Sequence, residues 1–357
     1  MMDLYMQEHL HKARLPTDAD GYGLIAYTYN DGVPAEGYYS PGGMNIGDYV
    51  QSLAARQFLP SVDAYVDRDQ LGCHKGVPIK MIMNAWYSFW RKNRVFAPTI
   101  RPLMVAVHIN NGECLEADTL RYFKQHEPIG CRDYNTARVL SAHGIKAYFS
   151  GCMTLTLGQT YRVSSSDRLR RVLFMDYWLG KNRKIDYELL RILRRYPDCE
   201  RVSLTNLYPL SRDIEGCLQE AEDLVKAFAS STLVITENIH CALPCLAVGT
   251  PVILAVPEYD QKRFEGLWDF FNVVGEQADG SFGCRIRTDR QNLVVNPSAH
   301  EFYAEYLTLI CRAFMGASSF KGLNGPAYSA HQEFNHQGYD RRRCFVRAAD
   351  RIRSLLR

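Results

Sequence analysis

The residues best suited to chemistry fall in three short stretches, each joining a strand-like run to a helix-like one. In "VITENIH", Thr236, Glu237, Asn238 and His240 lie between an apolar run and a short apolar helical pattern. An imidazole there can exchange a proton near neutrality, and the free amides of a helix start attract an anion. In "EPIGCRDYNTARVL", Arg132 stands at a helix entrance, where a guanidinium suits a carboxylate or phosphate, and Asp133 is placed as an N-cap. In "GGMNIGDYVQSLAARQFL", Asn45 and Gly47 precede Asp48 and Gln51; Gly47 admits close backbone approach and Asp48 is read as the helix cap. Arg263, Lys181, Arg183 and Lys184 are further cations close to such turns. Each residue also has an ordinary reading: a tight-turn glycine, a capping aspartate, a surface ion pair, a satisfied buried imidazole. Their recurrence at comparable positions in two halves of the chain is what suggests a shared cleft.

The elements that must position these residues alternate. Strand-like runs occur at Gly23–Tyr29, Ile79–Trp86, Leu103–Ile109 and Ile145–Gly151, with helical periodicity over Asp48–Phe58 and Asp133–His143. The pattern restarts at Arg171–Tyr177, followed by a helix near Tyr187–Arg195 and a strand over Arg201–Leu207. A helix near Glu215–Ala229 and strands at Leu233–Thr236 and Pro251–Val256 complete it. Strands alternating with helices predict α/β architecture with parallel sheets. Gly158–Asp167, with its three serines, is read as the linker, giving Rossmann-like domains over 1–160 and 161–335. Residues 336–357 are read as a basic amphipathic closing helix, with Phe345, Ala349, Ile352 and Leu356 beneath Arg347, Arg351 and Arg353.

Forty-two basic against 39 acidic residues leave a charge of +3, too even for a nucleic-acid coat. Eleven cysteines without CxxC pairs fit free thiols in a cytoplasmic setting. Asn238–Pro257 is uncharged over a bilayer-spanning length, but Pro244 and the Gly249–Thr250–Pro251 break divide it into helix and strand. "GYGLIA" enters a strand instead of following one, so it is no dinucleotide fingerprint, and "DRD" at Asp67–Asp69 is a weak metal pattern. P-loop, zincin and hydrolase-elbow motifs are absent, and His240, Cys241 and Cys245 have poor zinc spacing.

Six ordered blocks, "NIGDYVQSLAARQFLP", "MNAWYSFW", "RPLMVAVHIN", "EPIGCRDYNTARVLSAHGIKAYFSGCMTLTL", "LVITENIHCALPCLAVGTPVIL" and "YDQKRFEGLWDF", resemble the polysaccharide pyruvyl transferases over roughly residues 22–275. The resemblance implies a GT-B-like fold of two Rossmann-type parallel-sheet domains facing a central cleft, acceptor on the first and donor on the second. It implies transfer of the enolpyruvyl group of phosphoenolpyruvate to a sugar of a surface polysaccharide or its lipid-linked precursor. A pyruvate ketal forms, phosphate is released, and no metal is required. His240 matches the histidine of the family's Arg-Leu-His signature and is the implied general acid. Thr236, Glu237, Asn238 and Arg263 are then expected to hold the donor. Asn45, Gly47, Asp48, Gln51 and Arg132 are expected to line the acceptor side of the cleft. Asn238 stands where the signature has arginine, Ala85 where an Asn-Gly-Trp block has glycine, and Asn206 near a threonine-histidine pair of many relatives. The uncharged Asn238 leaves two other readings open: a glycosyltransferase using a nucleotide sugar, and a non-catalytic glycan-binding member. The expected partners are phosphoenolpyruvate, with no further cofactor, and a glycan acceptor, without nucleic acid. The expected place is the cytoplasm, at the inner membrane face if the arginine-rich C-terminus touches lipid.

Overall fold

The computed structural model describes residues 19–28, 43–87, 96–109, 115–209, 213–257, 261–277 and 279–316; the closing helix expected at 336–357 lies outside them. The first half runs β1 (Gly21–Ala26), β2 (Gly43–Asn45), α1 (Ile46–Arg56), β3 (Ala64–Asp67), β4 (Ile79–Ile82), β5 (Ile100–Leu103), α2 (Ala117–Gln125), β6 (Ile129–Cys131), α3 (Tyr134–Ala142) and β7 (Ala147–Phe149). Four of these strands form a parallel sheet in the order β3-β1-β4-β5. Single parallel bridges, Trp86 to His108 and Val107 to Cys131, carry the order on to the parallel pair β6-β7. The strand expected over Leu103–Ile109 is therefore interrupted. Ala106 adopts a left-handed backbone (φ 53°), which breaks the pleat before His108.

The second half runs β8 (Leu169–Met175), α4 (Arg183–Leu193), β9 (Glu200–Leu204), β10 (Leu207–Pro209), α5 (Ile214–Ala229), β11 (Ser231–Thr236), α6 (Ile239–Val248), β12 (Val252–Val256), β13 (Asn272–Glu276), β14 (Phe282–Arg285) and α7 (Glu301–Gly316). Its six-stranded sheet has the order β14-β13-β12-β11-β8-β9, parallel except for β14. Successive residues of the central strands feed opposite faces. Leu173, Met175, Val234 and Leu254 join the main core with α5 and α6, whereas Val172, Phe174, Ile235 and Ile253 join a smaller core with Ile185, Leu189 and Ile192 of α4. Strands buried on both faces read as unbroken apolar runs, which is why β11 and β12 were visible in the sequence.

Helix α6 is buried at all ten positions and ends at Gly249 in the left-handed conformation (φ 79°). Together with β11 and β12 it resolves the uncharged Asn238–Pro257 stretch into helix and strand. No helix among the described residues is long and apolar enough to cross a membrane. The run Arg201–Leu207, expected as one strand, divides at Thr205–Asn206. β9 pairs with β8, while β10 turns away to pair antiparallel with β2 of the first half. Residues 158–167 form a one-turn helix and a 3-10 turn. A Cβ on Gly158 would lie 2.1 Å from the Ala247 carbonyl oxygen, so this segment presses on α6. α7 returns to the first half, where Lys80 donates to the Phe314 carbonyl (3.1 Å) and Tyr306 to Tyr148 (2.8 Å). The aspartates of "DRD" have internal partners: Asp67 accepts from the Asp69 amide, and Asp69 binds Arg68 through both oxygens.

Candidate active site

Loops that follow strands of both sheets meet at one buried contact. Arg132, just after β6, donates from Nη1 to Nε2 of His240, in the first turn of α6, at 3.0 Å. Arg132 is 1% and His240 3% exposed, so two side chains distant in sequence are sealed against each other. Arginine has no acceptor; Nε2 of His240 must therefore carry the lone pair, and the ring is neutral with its proton on Nδ1. Burial first, then Arg132, Arg263 and His108, holds the His240 imidazole well below its ordinary range. Nδ1 of His240 and Nε of Arg132 have no hydrogen-bond partner. Both are buried donors without an acceptor in hydrogen-bond range, although Nε of Arg132 faces Oδ2 of Asp133 as an ion pair at 4.0 Å.

His240 is positioned by α6. Asn238 caps the helix, its side-chain oxygen accepting from the His240 amide at 3.0 Å, while the Asn238 amide donates to Thr236 Oγ1 at 3.0 Å. Gly47 closes the other side, where an added Cβ would stand 3.0 Å from His240 Cβ. The expected cap of α1 is corrected here. Asn45, and not Asp48, is the N-cap, accepting from the Gly47 amide at 2.9 Å and from Asn206 Nδ2 at 2.9 Å. Asp48 lies within the first turn, where a carboxylate also suits the helix dipole. It is 3% exposed and accepts from Gln51 Nε2 at 3.3 Å; Oε1 of Gln51 is buried without a partner.

Asp133 follows Arg132 and does two things. Oδ1 accepts from the Thr136 amide at 2.8 Å, capping α3 as expected, and Oδ2 lies 2.5 Å from Nδ1 of His108. His108 is 4% exposed; burial, with Arg132 and Arg263 nearby, brings its imidazole down to about 4 against the opposing pull of Asp133. Arg263, half-buried on the one-turn helix Gln261–Phe264, is the second cation whose charge reaches His108, Arg132 and His240. The cluster thus combines two guanidiniums, two neutral imidazoles and the start of α6, an arrangement that suits an anion and proton exchange beside it.

The remaining expected donor residues lie where the order of the second sheet reverses, at the ends of β8 and β11. Thr236 is buried and serves the Asn238 amide. Glu237 is paired with Lys181 at 2.5 Å, and the Lys181 ammonium also stands 4.7 Å from the centroid of the exposed Trp178 ring. Between them is Asp176, in the left-handed conformation (φ 56°), with Oδ1 accepting from Thr205 Oγ1 (3.0 Å) and the Asn206 amide (3.1 Å) and Oδ2 without a partner. Burial raises its carboxyl above the ordinary range, opposed by Asn206, Thr205, Asn238 and Lys181. Among the described residues no group of three or more His, Cys, Asp or Glu is placed to hold a metal ion.

The structure therefore brings Gly47, Arg132, His240, Asn238 and Arg263 together, with Asn45, Asp48 and Gln51 beside them. Thr236 supports the turn, and Glu237 is engaged by Lys181. Sequence reasoning passed over His108 and Asp176. Both were visible as titratable residues at the ends of apolar strand-like runs, the position where a parallel sheet presents ligands.

A family model described as Polysaccharide pyruvyl transferase matches residues 45–257, from the cap of α1 to just beyond β12. The curated proteins contain no match to the chain.

Proposed function

The chain belongs to the polysaccharide pyruvyl transferase family, and from that premise we propose that it moves the enolpyruvyl group of phosphoenolpyruvate onto a sugar. The acceptor is a surface polysaccharide or its lipid-linked precursor, the product is a pyruvate ketal, and phosphate leaves. In this reading the two sheets are the halves of a GT-B-like pair, and the chain works in the cytoplasm on a precursor of the cell envelope. The observation that carries it is the buried Arg132–His240 contact, flanked by Arg263 and the start of α6.

The donor is small and carries an ionised phosphate and an ionised carboxylate. Drawn to Arg132 and Arg263, it neutralises the charges that keep His240 unprotonated and draws the guanidinium away from Nε2. His240 then takes up a proton and delivers it to the methylene carbon as a sugar hydroxyl attacks carbon 2. The proton is taken up only when the donor is in place.

The test is a purified-protein assay with phosphoenolpyruvate and sugar diols, following phosphate release and ketal formation. Turnover is expected in the wild type and none in His240→Ala; undiminished turnover in His240→Ala would remove His240 as the acid. Asp176 favours a second reading, a nucleotide-sugar donor, because its unpartnered oxygen suits a hydroxyl better than an anion. Thermal stabilisation by phosphoenolpyruvate without stabilisation by nucleotide sugars is expected, and the reverse pattern selects the second reading.

A further inference from the structure

Ketal formation needs a base as well as an acid, and His240 acts in the wrong direction for the attacking hydroxyl. We propose that His108, oriented by Asp133, is the base that takes the proton of that hydroxyl; the assignment rests on the pyruvyl-transfer reading. His108 lies five residues beyond the end of β5, in the stretch bridged to Trp86, and Asp133 caps α3 directly after Arg132. The two functional pairs are thus built on adjacent residues: Arg132 holds His240, and Asp133 holds His108.

The pairs fix opposite proton arrangements. A carboxylate accepts only, so Nδ1 of His108 carries the hydrogen directed at Asp133 and the lone pair lies on Nε2. That nitrogen is bonded to no described residue. Other neighbours engage the Nδ1 side or the ring: Thr136 Oγ1 at 3.4 Å from Nδ1, and the Trp86 ring, 6.3 Å away between centroids. The charged groups acting on His108 are Asp133, Arg132 and Arg263. His240 has the reverse arrangement, with Nε2 held by a cation and Nδ1 carrying the hydrogen. A carboxylate behind one imidazole stabilises its protonated form, as a base requires. A guanidinium against the other keeps it neutral until the donor binds. Burial keeps both imidazoles neutral, and it is the partner at each ring, a carboxylate at His108 and a guanidinium at His240, that assigns them opposite roles.

The steps balance. The first hydroxyl oxygen bonds to carbon 2, its proton passes to Nε2 of His108, and the carbon–carbon π pair takes a proton at carbon 3 from His240. The second hydroxyl then bonds to carbon 2 as the bond to phosphate oxygen breaks. Its proton goes to His240, and His108 releases its own to the departing phosphate. Donor and diol become ketal and phosphate, both imidazoles return to their starting forms, and nothing is oxidised or reduced.

The full-length protein, His108→Gln and Asp133→Asn are compared with phosphoenolpyruvate and a sugar diol, with circular dichroism and Tm reporting the fold. Asparagine at 133 still offers the Thr136 amide an acceptor but gives Nδ1 no anion. His108→Gln is expected to lose about 10² to 10⁴-fold in kcat, while its Kd for phosphoenolpyruvate stays within about threefold. Asp133→Asn is expected to lose at least about tenfold in kcat, and the acid limb of its kcat profile moves to lower pH. Wild-type kcat with an unchanged profile in His108→Gln overturns the assignment. So does loss of donor binding in step with kcat, which marks a support for the donor site. If His108→Gln does not fold, an unmoved profile in Asp133→Asn overturns it. Absence of phosphate release by the wild type overturns the pyruvyl-transfer reading and this role with it.

Discussion

Asn238, which stands where the resemblance leads one to expect arginine, has a structural task of its own. Its side-chain oxygen accepts from the amide of His240, fixing the first turn of a helix whose every residue is buried. Arginine has no acceptor and cannot make this bond. Asn238 holds the imidazole in place through this cap, and Arg132 and Arg263 are the cations whose charge reaches His240. Asn238→Ala and Asn238→Arg are therefore both expected to lower unfolding free energy by about 1 kcal/mol, and Asn238→Asp to retain most of it. Urea denaturation curves of the three variants check this. An arginine variant as stable as the wild type would show that the cap contributes nothing.

At the scale of elements, α1 and α6 meet through a glycine. Gly47→Ala places a Cβ 3.0 Å from His240 Cβ and 2.9 Å from the Asn45 side-chain oxygen, disturbing both the cap of α1 and the imidazole. The expected outcome is a folded protein with kcat down at least about tenfold, because small misplacements of a reacting group cost rate steeply. Gly158→Ala is the contrasting case. Its Cβ would stand 2.1 Å from the Ala247 backbone oxygen, which cannot swing aside, so the loss is in stability, roughly 1–3 kcal/mol or more. Tm and kcat measured side by side separate a glycine of the site from a glycine of the frame. The contrast also marks what the sequence could tell. Local patterns disclosed β8, β11 and β12, whose burial on both faces leaves continuous apolar runs, and α1, α3, α4, α5 and α6, but not α2 or α7. They did not disclose the cap at Asn45, whose choice over Asp48 is joined to Asn206 across the chain, nor β10, whose partner is β2. His108 was readable as a residue type but not as a pair, since Asp133 reaches it only through tertiary contact.

For the whole molecule, the same burial that prepares the site makes the fold sensitive to acid. His108 and His300, 4% and 5% exposed in different parts of the main body, are both held at about 4, burial being the largest cause in each. The ordinary histidine value is 6.5, so between these limits the unfolded chain binds more protons than the folded one. Stability must then rise with pH across that window; it is complete above about 6.5 and is lost as pH falls toward about 4. Each group contributes on the order of 3 kcal/mol at full protonation as an upper bound, against a usual total of about 5–15 kcal/mol. Tm is therefore expected to fall steeply from about pH 6.5 downward, and His300→Gln, remote from Arg132 and Asp133 in the hydrogen-bond network, to flatten that fall. A Tm constant across the window would contradict the burial of neutral imidazoles. Should His300→Gln remain folded at a pH where the wild type has unfolded, activity lost there in the variant must arise from protonation within the site itself, separating the chemistry of His108 from the stability of the frame that holds it.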